Sequence, residues 1–311
     1  MKVTAAPSKN QLIDKSYLLE YFRQRAEEMQ ETIKISYGQN QYKERASEIN
    51  QLLKESRESI VEYVGEKSKA ENWSRAETID SVLMSTYTSY VVMIDFRNKM
   101  WPYDYMTFSR RIGELWEPFC ALAWEHPVNT EISFTLPPLF SDVKKKLKSE
   151  IHDFTSSLNT SKIEKEVLAS YYEKVWTLVT SGEIKLELDL HFTDGKTNFN
   201  VDFKSGFSSN EKGNTNRLLL VASIYKIIDD SHKCEIYVRA EEESNNHYLQ
   251  TLKNSVLWSV YCGAEGYERM EEHTGFGMKK WIERNISWED DFDPKTVIHL
   301  QKNNLGAYLK W

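Results

Sequence analysis

The chain has 311 residues, a formal net charge of −7, 28% charged and 40% hydrophobic residues. That length and mixture fit a globular chain with room for one large or two ordinary domains. They leave no place for a membrane span, because no apolar run approaches the roughly 18 residues one requires. The three cysteines, Cys120, Cys234 and Cys262, are scattered and lack CxxC spacing, which speaks against a disulfide framework and a zinc site. The N-terminal MKVTAAPSKNQLID lacks the apolar stretch of a signal peptide, so a cytoplasmic location is expected. The acidic balance restricts any nucleic-acid surface to a local one.

The first hundred residues read as helices. Leu12, Tyr17, Leu18, Tyr21, Phe22 and Met29 recur at helical spacing. So do Ile49, Leu52, Leu53, Ile60 and Val64, and then Ile79, Val82, Leu83, Tyr87, Tyr90, Val91 and Ile94. Tyr37-Gly38 and the stretch from Gly65 to Trp73 look like connections. After Trp101-Pro102 comes a further helical run, TFSRRIGELWEPFCALAWEH, with Phe108, Ile112, Leu115, Phe119 and Leu122 as its apolar stripe. Glu117 lies off that stripe, and Pro118 beside it predicts either a kink or the first turn of a new helix.

Glu131 to Phe140 reads as a short strand ended by Pro137-Pro138. Lys144, Lys145, Lys146 and Lys148 form a basic cluster suited to phosphate or to a solvated helix face. An amphipathic helix follows from Ile163 to Thr180, with Val167, Tyr171, Val175 and Leu178 on one side, and Gly182 ends it.

The stretch Glu183 to Gly206, EIKLELDLHFTDGKTNFNVDFKSG, predicts a β-hairpin. Leu186, Leu188, Leu190 and Phe192 alternate with Glu187, Asp189 and His191. Phe199, Val201 and Phe203 alternate with Asn200, Asp202 and Lys204. Asp194-Gly195 between the runs is a turn signal. In register, the apolar faces coincide and Asp189, Asp202 and Lys204 share the other face. Converging carboxylates repel unless a proton or cation lies between them. Oxygen donors without clustered Cys or His favour a hard ion such as Mg²⁺, which can activate water and steady charge on a phosphodiester. A lysine beside it could orient the water or stabilise the pentacovalent phosphate.

The polar stretch FSSNEKGNTNR then predicts a loop. Its Asn210, Lys212, Asn214, Asn216 and Arg217 are types that read base edges or hold phosphates, or cap the next helix. Leu218 to Ile228 reads as a helix, Cys234 to Val238 as a strand, and Asn246 to Trp311 as mainly helical. Helix, strands, helix and strand in this order predict an α/β sheet with helices on its faces.

Asp189, twelve intervening residues and then Asp202-Phe203-Lys204 resemble the PD-(D/E)xK nuclease superfamily, to which most type II restriction endonucleases belong. The resemblance implies a restriction-endonuclease-like mixed-sheet core, built as a helix, three strands, a helix and a strand. It implies a Mg²⁺ site, with Mn²⁺ as a substitute, at Asp189 and Asp202, and Lys204 assisting the water. It also implies a glutamate from a preceding helix. Arg110-Arg111-Ile112-Gly113-Glu114-Leu115-Trp116-Glu117 is similar to that feature, so Glu117 is the candidate and Glu173 its competitor. The expected organisation is a helical N-terminal region over 1–100, a catalytic core over 101–245 with an insertion at about 141–180, and a mainly helical C-terminal region over 246–311 packed on the core. The expected activity is sequence-specific cleavage of double-stranded DNA by a homodimer, as in restriction-modification. The alternatives are a structure- or end-directed repair or phage-defence nuclease, and a non-catalytic helical scaffold.

Overall fold

A computed structural model describes residues 7–38, 40–179, 184–208 and 211–311, excluding the side chains of 176–179. The chain divides into two compact units, 1–130 together with 264–311, and 131–263. This differs from the expected three-part division. The helix carrying Glu117 groups with the N-terminal helices, and so does the chain from Ala264 onward.

The first unit holds α1 (Lys9–Ile13), α2 (Lys15–Ser36), α3 (Tyr42–Ala70), α4 (Arg75–Met100) and α5 (Tyr105–Glu125), joined by α10 (Gly263–Thr274), α11 (Met278–Asn285), α12 (Trp288–Asp291) and α13 (Pro294–Lys302). Gly65 is no connection: α3 runs through it to Ala70, and the break falls where Ser74 and Glu77 form a capping box at the start of α4. α4 is the centre of the unit and is buried on every side rather than along one stripe. Several of its inward hydroxyls bond within the helix, as when Ser81 donates to the Glu77 carbonyl and Thr88 to that of Met84. The C-terminal helices are tied to α4 by polar bonds. Trp281 Nε1 donates to Asp80, Tyr87 Oη donates to Asp291, and Asp95 accepts from the Asp293 amide. α5 begins at Asp104, whose carboxylate caps Thr107, and continues unbroken through Pro118.

The second unit is a five-stranded mixed sheet with helices. Its elements are β1 (Ser133–Phe134), α6 (Phe140–Ser157), α7 (Lys162–Val179), β2 (Leu190–Thr193), β3 (Asn198–Lys204), α8 (Lys212–Ile228), β4 (His232–Val238), α9 (His247–Asn254) and β5 (Trp258–Cys262). The spatial order follows the chain, β1-β2-β3-β4-β5. β1, β2 and β3 are antiparallel, and β4 and β5 join in parallel through α8 and α9. Parallel neighbours need such crossovers, which an antiparallel hairpin does not. β5 lies inside the stretch expected to be helical. Its five residues pair with β4 in register, Cys234 with Trp258 through Val238 with Cys262, and a run this short shows no distinctive period.

The hairpin turn forms where expected. Gly195 has φ +85°, which glycine adopts at no steric cost. Asp194 Oδ1 accepts from the amides of Lys196 at 2.9 Å and Thr197 at 2.7 Å. The first strand, in contrast, is shorter than its pattern. Only Leu190–Thr193 pairs with β3, because the chain bends at Asp189. Leu190 and Phe192 stand on the face shared with Val201 and Phe199. Leu186 and Leu188 pack on the opposite side, in the core of α8, β4 and β5 that includes Leu218, Ala222, Ile236 and Val260. Glu183 and Gly182 lie outside the described residues.

Candidate active site on the hairpin

Asp202 and Lys204 alternate with Val201 and Phe203 on β3. Their face is the one on which Cys234, Ile236 and Val238 of β4 also stand, and α8 packs over it with Leu218, Val221, Ala222 and Tyr225. The polar face of the hairpin is therefore covered rather than solvated. Asp202 is 0% exposed, whereas Asp189, at the bend before β2, is exposed. One carboxylate is buried and the other stands at the entrance.

The bend explains how Asp189 reaches the site. The β2–β3 ladder stops at the Leu190–Val201 pair, which leaves the Phe203 amide without a strand partner on that side. Asp189 Oδ2 accepts from it at 2.7 Å, so the side chain completes what the backbone leaves off. Lys204 Nζ is in ion-pair contact with Asp202 Oδ2 and donates to the Phe203 carbonyl at 3.1 Å. The Arg217 guanidinium lies 3.5 Å from Asp202 Oδ1.

Burial pushes the Asp202 carboxyl up to about 6. The neighbouring Asp189 raises it further, while Lys204 and Arg217 pull it down without cancelling the desolvation. Oδ2 is buried with the Lys204 ammonium against it. Among the described residues no group of three or more His, Cys, Asp or Glu is placed to hold a metal, so the available donors are the two aspartates. Mg²⁺ is commonly held by one or two carboxylates, with water and substrate phosphate supplying the rest. Two carboxylates are the donor chemistry such an ion takes.

A second layer supports Asp189 from behind. His191 Nε2 accepts from the Leu188 amide at 2.9 Å, which requires the proton on Nδ1, and Nδ1 donates to Asn200 Oδ1 at 2.9 Å. Asn200 Nδ2 in turn donates to His232 Nδ1 at 3.2 Å and to the Lys233 carbonyl at 3.3 Å. Tyr225 lies over both histidines and donates to the Leu186 carbonyl. Burial lowers the His191 pKa, which keeps the ring neutral in this tautomer. The sequence places His191 on the polar face but contains no sign that it holds the chain just before Asp189. The residue pairing His191 with Asn200 across the hairpin is the only available signal.

This yields a prediction. Replacing His191 by Gln should speed hydrogen exchange at the Leu188 and Phe203 amides and cost about 1–3 kcal/mol, the usual loss when a buried donor is left unpaired. The folded pKa is depressed, so the wild-type contribution is present above the unfolded value near 6.5. It is lost as pH falls through the lower folded value. The gap between wild type and variant should close toward acid pH. Parallel stability curves for the two proteins from pH 8 to 5 would count against the network.

The polar loop expected to reach Arg217 is shorter than that. α8 begins at Lys212, because Thr215, 2% exposed, extends the buried stripe of Leu218, Ala222 and Tyr225 by one turn. Lys212, Asn216 and Arg217 are exposed on this first stretch of helix, and Asn214 donates to Glu211 Oε2 at 3.0 Å. Asn210 lies outside the described residues. Among the described residues of this group only Arg217 meets Asp202. Glu173 is on α7, with both carboxylate oxygens 2.8 Å from Lys148 Nζ. Glu117 is half-buried in α5, in the first unit.

No family model, no curated protein and no solved structure matches this chain.

Proposed function

We propose that the chain is a Mg²⁺-dependent endonuclease acting on double-stranded DNA, of the type II restriction kind. The observation that carries this reading is the meeting of Asp189, Asp202 and Lys204 at the end of the hairpin, with Asp202 buried and its carboxyl raised to about 6. Perturbed carboxylates grouped with a cation are what sites for charged chemistry are built from. The connectivity supports it as well. A short strand, then, after the inserted α6 and α7, the hairpin, a crossover helix and a parallel strand come in the order that the PD-(D/E)xK resemblance implies, with β5 added beyond them.

Asp189 and Asp202 would hold the ion, which supplies activation of water and neutralisation of charge at the phosphodiester. The chain's own residues do the rest. Lys204, half-buried beside Asp202, is placed to donate a hydrogen bond to the attacking water or to a non-bridging phosphate oxygen. Arg217, 42% exposed at the side chain, presents its guanidinium from the start of α8, where it can take a phosphate in a bidentate, charge-assisted fashion. Water attacks phosphorus in line as the P–O bond to the leaving sugar breaks, so no covalent enzyme intermediate is needed. Two active sites in a homodimer would cut both strands of a symmetric site.

The test is incubation of the protein with plasmid DNA and Mg²⁺, with and without EDTA. Discrete, EDTA-sensitive fragments are the expected result. A smear or end-resection would point to a repair or defence nuclease. If no duplex is cut and Mg²⁺ and Mn²⁺ leave the thermal midpoint unchanged, the catalytic reading fails and the scaffold reading stands.

A further inference from the structure

The first unit contains a cleft of about 450 Å³ walled by α3, α4 and α5, a volume in the range of small-molecule sites. Its charged lining is Lys54 and Arg57 of α3 and Arg111 of α5, and no carboxylate lines it. The helical period gathers these residues. Asn50, Lys54 and Arg57 are three or four positions apart on α3, as are Arg111, Leu115 and Pro118 on α5. Leu53, Tyr90, Met93 and Leu115 make an apolar floor, and all four are buried. Three cations around one cleft are notable in a chain of net charge −7. Three other clefts among the described residues each have carboxylates in their lining: Glu187 in one, Glu166 and Glu173 in another, Asp142 and Glu150 in the third.

The counter-charges stand outside the cleft and are loosely held. Glu58 is 3.9 Å from Lys54 and 3.8 Å from Arg57, and Glu114 is 3.3 Å from Arg111. Both glutamates are exposed, and exposed pairs of this kind are weak enough to be exchanged for a better anion. Glu125 also lies in the field of Arg57, but it too is outside the lining. Arg57 is the innermost cation, 19% exposed at the side chain, with its guanidinium 5.4 Å from the centre of the Tyr90 ring. Arg111 is 30% exposed and Lys54 is 55% exposed, nearer the mouth. We propose that this cleft binds a small organic phosphate, a phosphate monoester of nucleotide size, with the phosphate on the three cations and the organic body on the apolar floor. A monocarboxylate would neutralise one cation of the three. A phosphate dianion has oxygens enough to meet two guanidinium forks and an ammonium. Asn50 Oδ1, at the wall of the cleft, is buried and accepts no hydrogen bond among the described residues. An unpaired buried acceptor is costly, and rotation of this amide into the cleft would pair it with a hydroxyl or N–H of the ligand body. The proposal goes beyond the nuclease reading and does not depend on it.

Isothermal titration calorimetry of the full chain in EDTA, with adenosine monophosphate as the titrant, tests it. The nucleotide should bind saturably, one per chain. Adenosine, which lacks the phosphate, and inorganic phosphate, which lacks the body, should each bind at least about tenfold more weakly. Arg57→Gln and Arg111→Gln should each weaken the nucleotide by about tenfold or more, the scale of one charge-assisted hydrogen bond. Arg57→Gln removes a side chain from the Tyr90 ring and can loosen the fold. Lys54→Glu avoids that, because its position is exposed. It places a carboxylate in the lining and should weaken the nucleotide as much, with an unchanged circular dichroism spectrum. Absence of saturable binding, or an affinity that Arg111→Gln and Lys54→Glu both leave unchanged, would overturn the proposal. Adenosine binding as tightly as the nucleotide would overturn the role of the cations, and inorganic phosphate binding as tightly would overturn that of the floor. A chain that ignores the nucleotide but binds a short DNA duplex, more weakly after Arg111→Gln, would also overturn it, since the cleft would then hold a nucleic-acid backbone. Cleavage activity is not read in any arm, so failure here leaves the nuclease reading to its own test.

Discussion

Under the proposed nuclease function, Asp202→Asn should abolish Mg²⁺-dependent cleavage, and it should at the same time stabilise the metal-free protein at pH 8. The first effect follows from loss of the buried anionic donor. Charge stabilisation by a bound ion is worth several kcal/mol, and about 4 kcal/mol is about a thousandfold in rate. The second follows from the cost of keeping Asp202 ionised inside the fold. Its carboxyl is raised from the ordinary 3.8 to about 6 by burial, which corresponds by linkage to about 3 kcal/mol between the two states. For a raised folded pKa, the stabilising contribution is complete below the unfolded value and lost as pH rises through the folded one. The wild type should therefore lose more stability between pH 4 and pH 7 than the asparagine variant, which keeps the raised carboxyls of Asp95 and Glu125. Urea midpoints in EDTA across that range measure the difference. A midpoint that changes equally with pH in the two proteins would mean that Asp202 is not strained, and cleavage retained by the variant would remove it from the proposed metal site. The same titration would make binding of the proposed ion pH-dependent, because the ion would compete with a proton for Asp202 and bind more weakly as pH falls below about 6.

Lys204→Ala has the opposite effect on stability. Lys204 is the closer of the two cations on Asp202, and its removal leaves the carboxylate with only the Arg217 guanidinium 3.5 Å away. Breaking a buried pair by deleting one partner costs about 3–5 kcal/mol, most of it the uncompensated charge that remains. The penalty should be present at pH 8 and fade toward pH 5, where Asp202 takes up a proton. It should also be largely absent when Lys204→Ala is introduced into Asp202→Asn. A double-mutant cycle over the four proteins reads this coupling directly. Cleavage by Lys204→Ala should fall by about 10²–10³, the loss typical of one donor aimed at developing charge. If Lys204→Ala costs as much in the Asp202→Asn background as in the wild type, the two side chains are not coupled, and the site as described is wrong.

Much of the hairpin is legible in the residues themselves. Alternation along 199–204, a Gly-containing turn at 194–197 and the in-register pair Leu190–Val201 are local matters. They follow from the two-residue period of a strand and the backbone freedom of Gly195. The common face of Asp202 and Lys204 follows too, since residues two apart on a strand cannot be separated. The helices of the first unit are recoverable from apolar spacing, although α4 is buried all round and its hydroxyl-bearing residues blur the stripe. The order of helical and strand-like runs foresaw a mixed α/β chain, and no helix among the described residues is long and apolar enough to cross a membrane.

The tertiary structure decided the rest. An unbroken alternation of leucines from 186 to 192 does not reveal a bend. The chain turns at Asp189 because Leu186 and Leu188 are drawn into the core beneath α8, while Leu190 and Phe192 remain on the far face. Nor does alternation say which face is covered. Asp202 is buried because α8 crosses back over the sheet to bring β4 parallel to β3, a contact set by residues well along the chain. Crossover also brings Arg217 to Asp202. Local spacing settles what a strand or helix presents on each side. Which side meets solvent, core or carboxylate depends on elements distant in sequence, and the charge state of Asp202 depends on that choice.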